Sequence, residues 1–253
     1  MLDFDNFLKP MSISGSIKHF GIDHPEHWDY HWKHIKKTYK GAFYDDTKQP
    51  IVYNINKNGY RNKDLKDVDW NNFALFLGCS NTFGQGVPEK YLVSSLVESK
   101  LKIDCVNLGV PGGSNIIMSN IALEIARANL KPKFVVVGWT THNRTYDFID
   151  NKIENLGIWS VSWYSNNHVV STEYFKNWML NEERAMYQSM LAQKQIRQYF
   201  KDVKVLEHSY SKTIANDMKC HFVNNDKTSR ARDGYHESHQ WHDELAQWVL
   251  KNV

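Results

Sequence analysis

The chain has 253 residues, with 31 Lys and Arg against 28 Asp and Glu for a net charge of +3, and 42% of its residues are apolar. That length suits one large domain or two small ones, each able to bury a core, and the composition excludes disorder over most of the chain. A near balance of charge without long basic runs argues against a dedicated nucleic-acid binder, whose affinity needs clustered cations.

The opening MLDFDNFLKP lacks the basic and apolar regions of a secretory signal peptide. The longest apolar stretch, around Phe134 to Trp139, is far too short to span a bilayer. A soluble protein, cytoplasmic or virion-associated, is therefore expected. Cys79, Cys105 and Cys220 show no CxxC spacing, which fits a reducing compartment and supplies no zinc framework. Residues 1 to about 70 are polar and show no sustained strand alternation, and residues 1–53 read as an N-terminal arm with one helical piece. In HPEHWDYHWKHIKKTY, Trp28, Trp32 and Ile35 recur at helical spacing, with His24, His27, His31 and His34 on a neighbouring face. A metal-binding stripe is conceivable there, but a solvated face on an aromatic-anchored helix is the better reading. The arm is also a candidate surface for an assembly partner.

From residue 73 apolar runs alternate with helical patterns. FALFLGCS (73–80) reads as a buried strand, KYLVSSLVESKL (90–101) as a helix, and CVNLG (105–109) as a second strand. SNIIMSNIALEIARANL (114–130) is a second helix and KFVVVGW (133–139) a third strand. Residues 181–200 form a helix opened by Asn181, with Glu182 and Glu183 in the first turn, where the helix dipole favours anions. VKVLEH (203–208) and CHFV (220–223) read as the fourth and fifth strands, and Trp241, Leu245, Trp248 and Val249 mark a last helix. Such alternation implies βαβ units and a parallel sheet covered on both faces. Sheets of this kind bind ligands beyond the carboxyl ends of their strands, which places chemistry just after Ser80, Leu108, Trp139 and Val223.

Each of those positions carries polar residues. LGCSNTFGQGV (77–87) sets Ser80 at the rim of the sheet, where it is either a turn residue or a nucleophile. NLGVPGGS (107–114) offers glycines whose N–H groups could meet an anion, though its spacing is neither GxGxxG nor a P-loop. GWTTHNRTYD (138–147) brings His142, Asn143 and Arg144. RARDGYHESHQWHDELAQW places Asp233 three residues before His236, so that the carboxylate can orient an imidazole serving as base for a serine hydroxyl. A metal reading of His236, His239 and His242 fares worse, because a helix turns about 300° per three residues, a net drift of about 60° per step that keeps the three rings off one compact face.

In order and context these stretches resemble the GDSL-type, or SGNH, hydrolases, serine esterases and acyl hydrolases on a flavodoxin-like sheet. LGCSNTFGQGV is similar to the family's first block, GDSxTxG, with Ser80 at the nucleophile. NLGVPGGS is similar to the second block, with Gly112 at the oxyanion glycine. DGYHESHQWH is similar to the last block, DxxHPSxxGH, with Asp233 and His236 at the acid and base. NKNGYRNKDL (56–65) is similar to the NxxGfR stretch that precedes the first block in many members. The family's GDS aspartate is Cys79 here, its GxND is replaced by WTTHNR, and the Pro and Gly of its last block are Glu237 and Trp241. Asn143 is the first choice for the third oxyanion donor and His142 the second.

The resemblance implies a three-layer α/β/α sandwich with a central, mostly parallel five-stranded sheet, spanning residues 54–253 as one domain. It further implies a serine-dependent ester hydrolase acting on a small-molecule or glycan ester without metal or cofactor. Two alternatives stay open: a non-catalytic virion or surface module that keeps the fold, and an O-acyltransferase using the same triad. The aromatics Tyr146, Phe148, Trp159, Trp163, Tyr164, Tyr174, Phe175 and Trp178 fall in an insertion at about 144–180. That insertion is read as a lid or sugar platform, or equally as a packing cluster.

Overall fold

The apolar runs of the sequence become the strands of one parallel sheet. The computed structural model describes residues 7–21, 23–25, 27, 51–149, 152–157, 160, 177, 181–224 and 230–253. Two short strands, β1 (Gly15–Ile17) and β2 (Tyr53–Ile55), pair antiparallel and bring part of the first 53 residues onto the body of the molecule. The polar, unalternating sequence of this region gave no sign of them. Strand β3 (Phe73–Gly78) follows, then a single helical turn, α1 (Ser80–Phe83), and helix α2 (Val93–Leu101). Next come β4 (Asp104–Gly109), α3 (Asn115–Arg127) and β5 (Phe134–Trp139). A hairpin of β6 (Thr145–Ile149) and β7 (Lys152–Leu156) opens the aromatic-rich insertion. The chain continues through α4 (Glu182–Tyr199), β8 (Lys204–Ser209), α5 (Lys212–Met218), β9 (His221–Phe222) and α6 (His239–Asn252).

The sheet has five strands in the order β4-β3-β5-β8-β9, every pairing parallel. Counted in chain order this is 2-1-3-4-5, the flavodoxin-like arrangement, whose topological switch point lies between the first and third strands. Here those are β3 and β5. Period-two alternation divides the strand side chains between two helical layers. Leu75, Leu77, Val106, Leu108, Val135 and Val137 pack with α3, α4 and α5. Ala74, Phe76, Cys105, Phe134 and Val136 pack with α2 and α6. Both faces are covered, which is why β3 and β5 are apolar at every position. Truncating the fully buried Leu75 to Ala would cost about 2–5 kcal/mol.

The described part of the first 53 residues is tied to these layers. Phe7 packs in the larger core beside Tyr60, and the Tyr60 hydroxyl donates to the Leu8 carbonyl at 2.8 Å. Trp28, Trp32, Ile35, His31 and His34 lie outside the described residues, as do Trp159, Trp163, Tyr164, Tyr174, Phe175 and Trp178. Among the described residues no helix is long and apolar enough to cross a membrane.

Candidate active site

Ser80 stands where β3 ends, at the switch point of the sheet. The chain after the strand forms the helical turn α1, with Ser80 as its first residue and Cys79 as its N-cap. Cys79 makes no capping hydrogen bond and sits in the larger apolar core. The turn lies directly on the sheet because glycines remove the obstructing side chains. A Cβ on Gly78 would be 1.8 Å from Thr82 Oγ1, and one on Gly109 would be 2.3 Å from the Phe83 nitrogen. Asn107 completes the clasp, its amide donating to the Thr82 carbonyl at 2.9 Å while its side-chain oxygen accepts from Gly109 N–H at 3.0 Å.

Asp233 and His236 arrive from the opposite end of the chain in one tight turn. Gly234 N–H donates to the Ala231 carbonyl and Ala231 N–H to the His236 carbonyl, both at 2.9 Å. Asp233 Oδ1 accepts from the N–H groups of Tyr235 and His236, each at 3.0 Å, and Oδ2 lies 2.5 Å from His236 Nδ1. His236 Nε2 lies 2.8 Å from Ser80 Oγ. An ionised carboxylate only accepts, so Nδ1 carries the proton and Nε2 accepts from the serine hydroxyl. Burial alone would raise the Asp233 carboxyl, but the His236 charge and the three hydrogen bonds outweigh it and hold the group below the usual carboxylate range. Asp233 is wholly buried while the His236 side chain is 17% exposed, so the acid is shielded and the base faces the opening.

The two turns are also joined directly. Glu237 N–H donates to Asn81 Oδ1 at 3.3 Å, a bond that a proline at this position could not make. Glu237 is buried against Arg230, 2.8 Å from its Nη1. Ser238 caps α6 by accepting from Gln240 N–H at 3.2 Å. His242 is fully buried and accepts from Val93 N–H at 3.2 Å, joining α6 to α2. Burial lowers His242 and His208 to about 3, so both are neutral imidazoles of the interior.

The anion-facing groups follow from backbone geometry. As the first residue of a helical turn, Ser80 has no preceding carbonyl to receive its N–H. Gly112 lies three residues beyond β4 at φ 70°, and its N–H makes no hydrogen bond to the described residues. On the neighbouring rim, Asn115 brackets Thr140, donating to its carbonyl and accepting from its N–H at 3.0 Å. That bracket fixes the start of the 140–144 stretch. His142 Nε2 lies 3.2 Å from Asp217 Oδ2 on α5. Asn143 is half-buried, with no hydrogen bond to the described residues.

The geometry thus unites Ser80, Asp233 and His236, while Gly112, Asn143 and His142 follow β4 and β5 on the same sheet edge. It adds residues the sequence reading did not single out: Asn81, Asn107 and Asn115. Asn81 lies in the turn after β3, Asn107 within β4 and Asn115 at the start of α3, and each bonds backbone groups that shape the rim of the sheet. Among the described residues no group of three or more His, Cys, Asp or Glu could hold a metal ion.

No family model matches the chain, and no curated protein does. Solved structures do. An acetyl xylan esterase from the rumen bacterium Butyrivibrio proteoclasticus matches with a TM-score of 0.44 at 10% identity, over 72% of this chain and 63% of its own. A family two carbohydrate esterase from Clostridium thermocellum, solved with cellohexaose, matches with a TM-score of 0.45 at 12% identity, over 74% of this chain and 64% of its own. A member of the lipolytic protein G-D-S-L family from Veillonella parvula matches with a TM-score of 0.35 at 12% identity, over 71% and 96%. The chain spans just under two thirds of the length of the two carbohydrate esterases. At these identities and TM-scores the likenesses carry no argument about activity, and the fold stands on its own strand order.

Proposed function

We propose that the protein is a serine-dependent acyl ester hydrolase. The observation that carries this reading is the continuous relay from Asp233 Oδ2 through His236 to Ser80 Oγ, with heavy-atom separations of 2.5 and 2.8 Å. A serine hydroxyl is a poor nucleophile until a neighbouring base takes its proton. His236 does so as Oγ attacks the ester carbonyl, and Asp233 steadies the imidazolium that forms. The N–H groups of Ser80 and Gly112, with the Asn143 carboxamide, meet the oxyanion of the tetrahedral intermediate. His142, engaged by Asp217, supports the rim. His236 then returns its proton to the leaving alcohol, and a water activated by the same imidazole releases the acid from the acyl-enzyme.

The narrower substrate reading is an O-acetyl group on a carbohydrate, supported by the aromatic density of residues 144–180. The test uses purified protein, short p-nitrophenyl esters and a fluorophosphonate probe. Hydrolysis of the esters, covalent labelling, and loss of both in Ser80→Ala are the expected results. Full activity in Ser80→Ala would overturn the reading. Product analysis with O-acetylated sugars, with and without an added acceptor sugar, separates hydrolysis from acyl transfer.

A further inference from the structure

The residue before the catalytic acid, Arg232, is a fully buried arginine. Its guanidinium meets Asp23 in a two-point contact, Nε donating to Oδ1 at 2.7 Å and Nη2 to Oδ2 at 2.6 Å, across a separation of 209 residues. Neither side chain reaches solvent. The Tyr53 hydroxyl donates to Asp23 Oδ2 at 2.5 Å and accepts from Gly86 N–H at 2.9 Å. The circuit closes where Arg232 N–H donates to the Gly86 carbonyl at 3.2 Å. Burial first, and the Asp23 charge second, push the Tyr53 phenol well up, so it stays a donor. Gly86 is also pressed against the acid: at φ 76°, a Cβ on it would lie 3.2 Å from Asp233 Cγ and 2.9 Å from the Ala231 Cβ.

A buried ion pair contributes little net stability compared with a well-packed apolar pair, because both ions lose their hydration. What a two-point guanidinium–carboxylate contact does supply is direction, since its two parallel hydrogen bonds fix a plane. Here that plane holds the peptide leading into Asp233. We propose that Asp23 is a positioning residue for the catalytic acid, acting through Arg232 to hold Asp233 at bonding distance from His236. The inference rests on the ester-hydrolase reading for its kinetic consequence, but its structural consequence can be read without turnover.

The experiment compares the full-length wild type, Asp23→Asn and Ser80→Ala. The asparagine keeps the size of the side chain and replaces one acceptor oxygen with a donor facing the guanidinium. Turnover, normalised to folded protein, is expected to fall roughly 10- to 100-fold in Asp23→Asn, with KM within about twofold, the scale of a misplaced catalytic group. A far-downfield proton resonance of His236 Nδ1–H, assigned by its loss in Asp233→Asn, is expected in the wild type and in Ser80→Ala but shifted or broadened in Asp23→Asn. If Asp23→Asn does not fold, Tyr53→Phe removes the two hydrogen bonds that its hydroxyl makes in the same circuit, to Asp23 and from Gly86, and is expected to move both readouts in the same direction. Unchanged turnover with only a lower melting temperature, or an unchanged resonance, overturns the positioning role. A wild type that hydrolyses no ester overturns the enzymatic reading alone, and the resonance still decides the role of Asp23.

Discussion

The two turns that meet at the candidate active site are held by different means. The nucleophile turn, residues 78–84, is secured by contacts within itself, with the adjacent strand β4 and with the buried Arg61: Phe83 N–H to the Cys79 carbonyl, Gly84 N–H to the Ser80 carbonyl, glycines that let the turn rest on the sheet, and the Arg61 guanidinium donating to the Phe83 and Gly84 carbonyls. The acid–base turn, residues 231–238, is held by polar groups from distant parts of the chain, namely Asp23, Gly86 and Asn81. Apart from the Asn81–Glu237 bond that joins the two turns, the nucleophile turn takes its side-chain partners from 22 to 25 residues away, whereas Asp23 stands 209 residues from Arg232. The base is therefore more exposed than the first turn to changes far from the chemistry.

Several substitutions test this contrast. The largest effect belongs to the relay itself: Ser80→Ala should lower turnover about a million-fold, and adding His236→Ala should lower it little further, because triad members act as one unit. Ester hydrolysis by the single and double variants measures this. On the acid–base side, Arg232→Ala leaves the Asp23 carboxylate buried without its guanidinium, and should destabilise the protein by about 3–5 kcal/mol in urea unfolding. On the nucleophile side, Gly109→Ala forces a methyl against the Phe83 backbone and should cost roughly 1–3 kcal/mol. Its effect on turnover should exceed its effect on KM, because the displaced element carries Ser80.

A pH series probes the interior beside the acid–base turn. His208 and His242 stay neutral in the fold down to about 3, whereas in the unfolded chain each takes up a proton near 6.5. Between those values the unfolded state binds more protons, so stability must fall as pH falls, by about 1.4 kcal/mol per pH unit for each site. Asp233 acts in the same direction: its depressed carboxyl contributes stability that is fully present above the ordinary carboxylate range and is lost as pH drops through its lowered value. Urea midpoints between pH 7 and 4 give the slope, and a flat profile would contradict the buried neutral imidazoles.

The same contrast explains what was legible beforehand. Strands β3, β4 and β5 announced themselves as apolar runs, because a sheet covered on both faces needs them, α3 and α6 through their apolar positions, and α4 through its Asn181 cap and acidic first turn. Ser80, Asp233 and His236, which the structure brings together, could be singled out because each lies in a short motif beside a strand end or helix start. The β1–β2 pairing stayed hidden because its strands are three residues each and half exposed, too short for an alternation to register. Helix α5 was missed for a similar reason, with Ile214, Ala215 and Met218 its only buried residues. The pairing of Asp23 with Arg232 had no local signature at all, since a single aspartate in a polar stretch looks like any surface residue until its partner is brought to it.

That pairing also imposes an order of assembly. During synthesis Asp23 emerges 209 residues ahead of Arg232, so its carboxylate must remain hydrated while every strand of the sheet is made. The strand bearing the serine can form early, but the turn bearing the base can be locked only afterwards, which makes completion of the relay a late event in folding. A partly synthesised chain would therefore carry Ser80 in place without its imidazole partner.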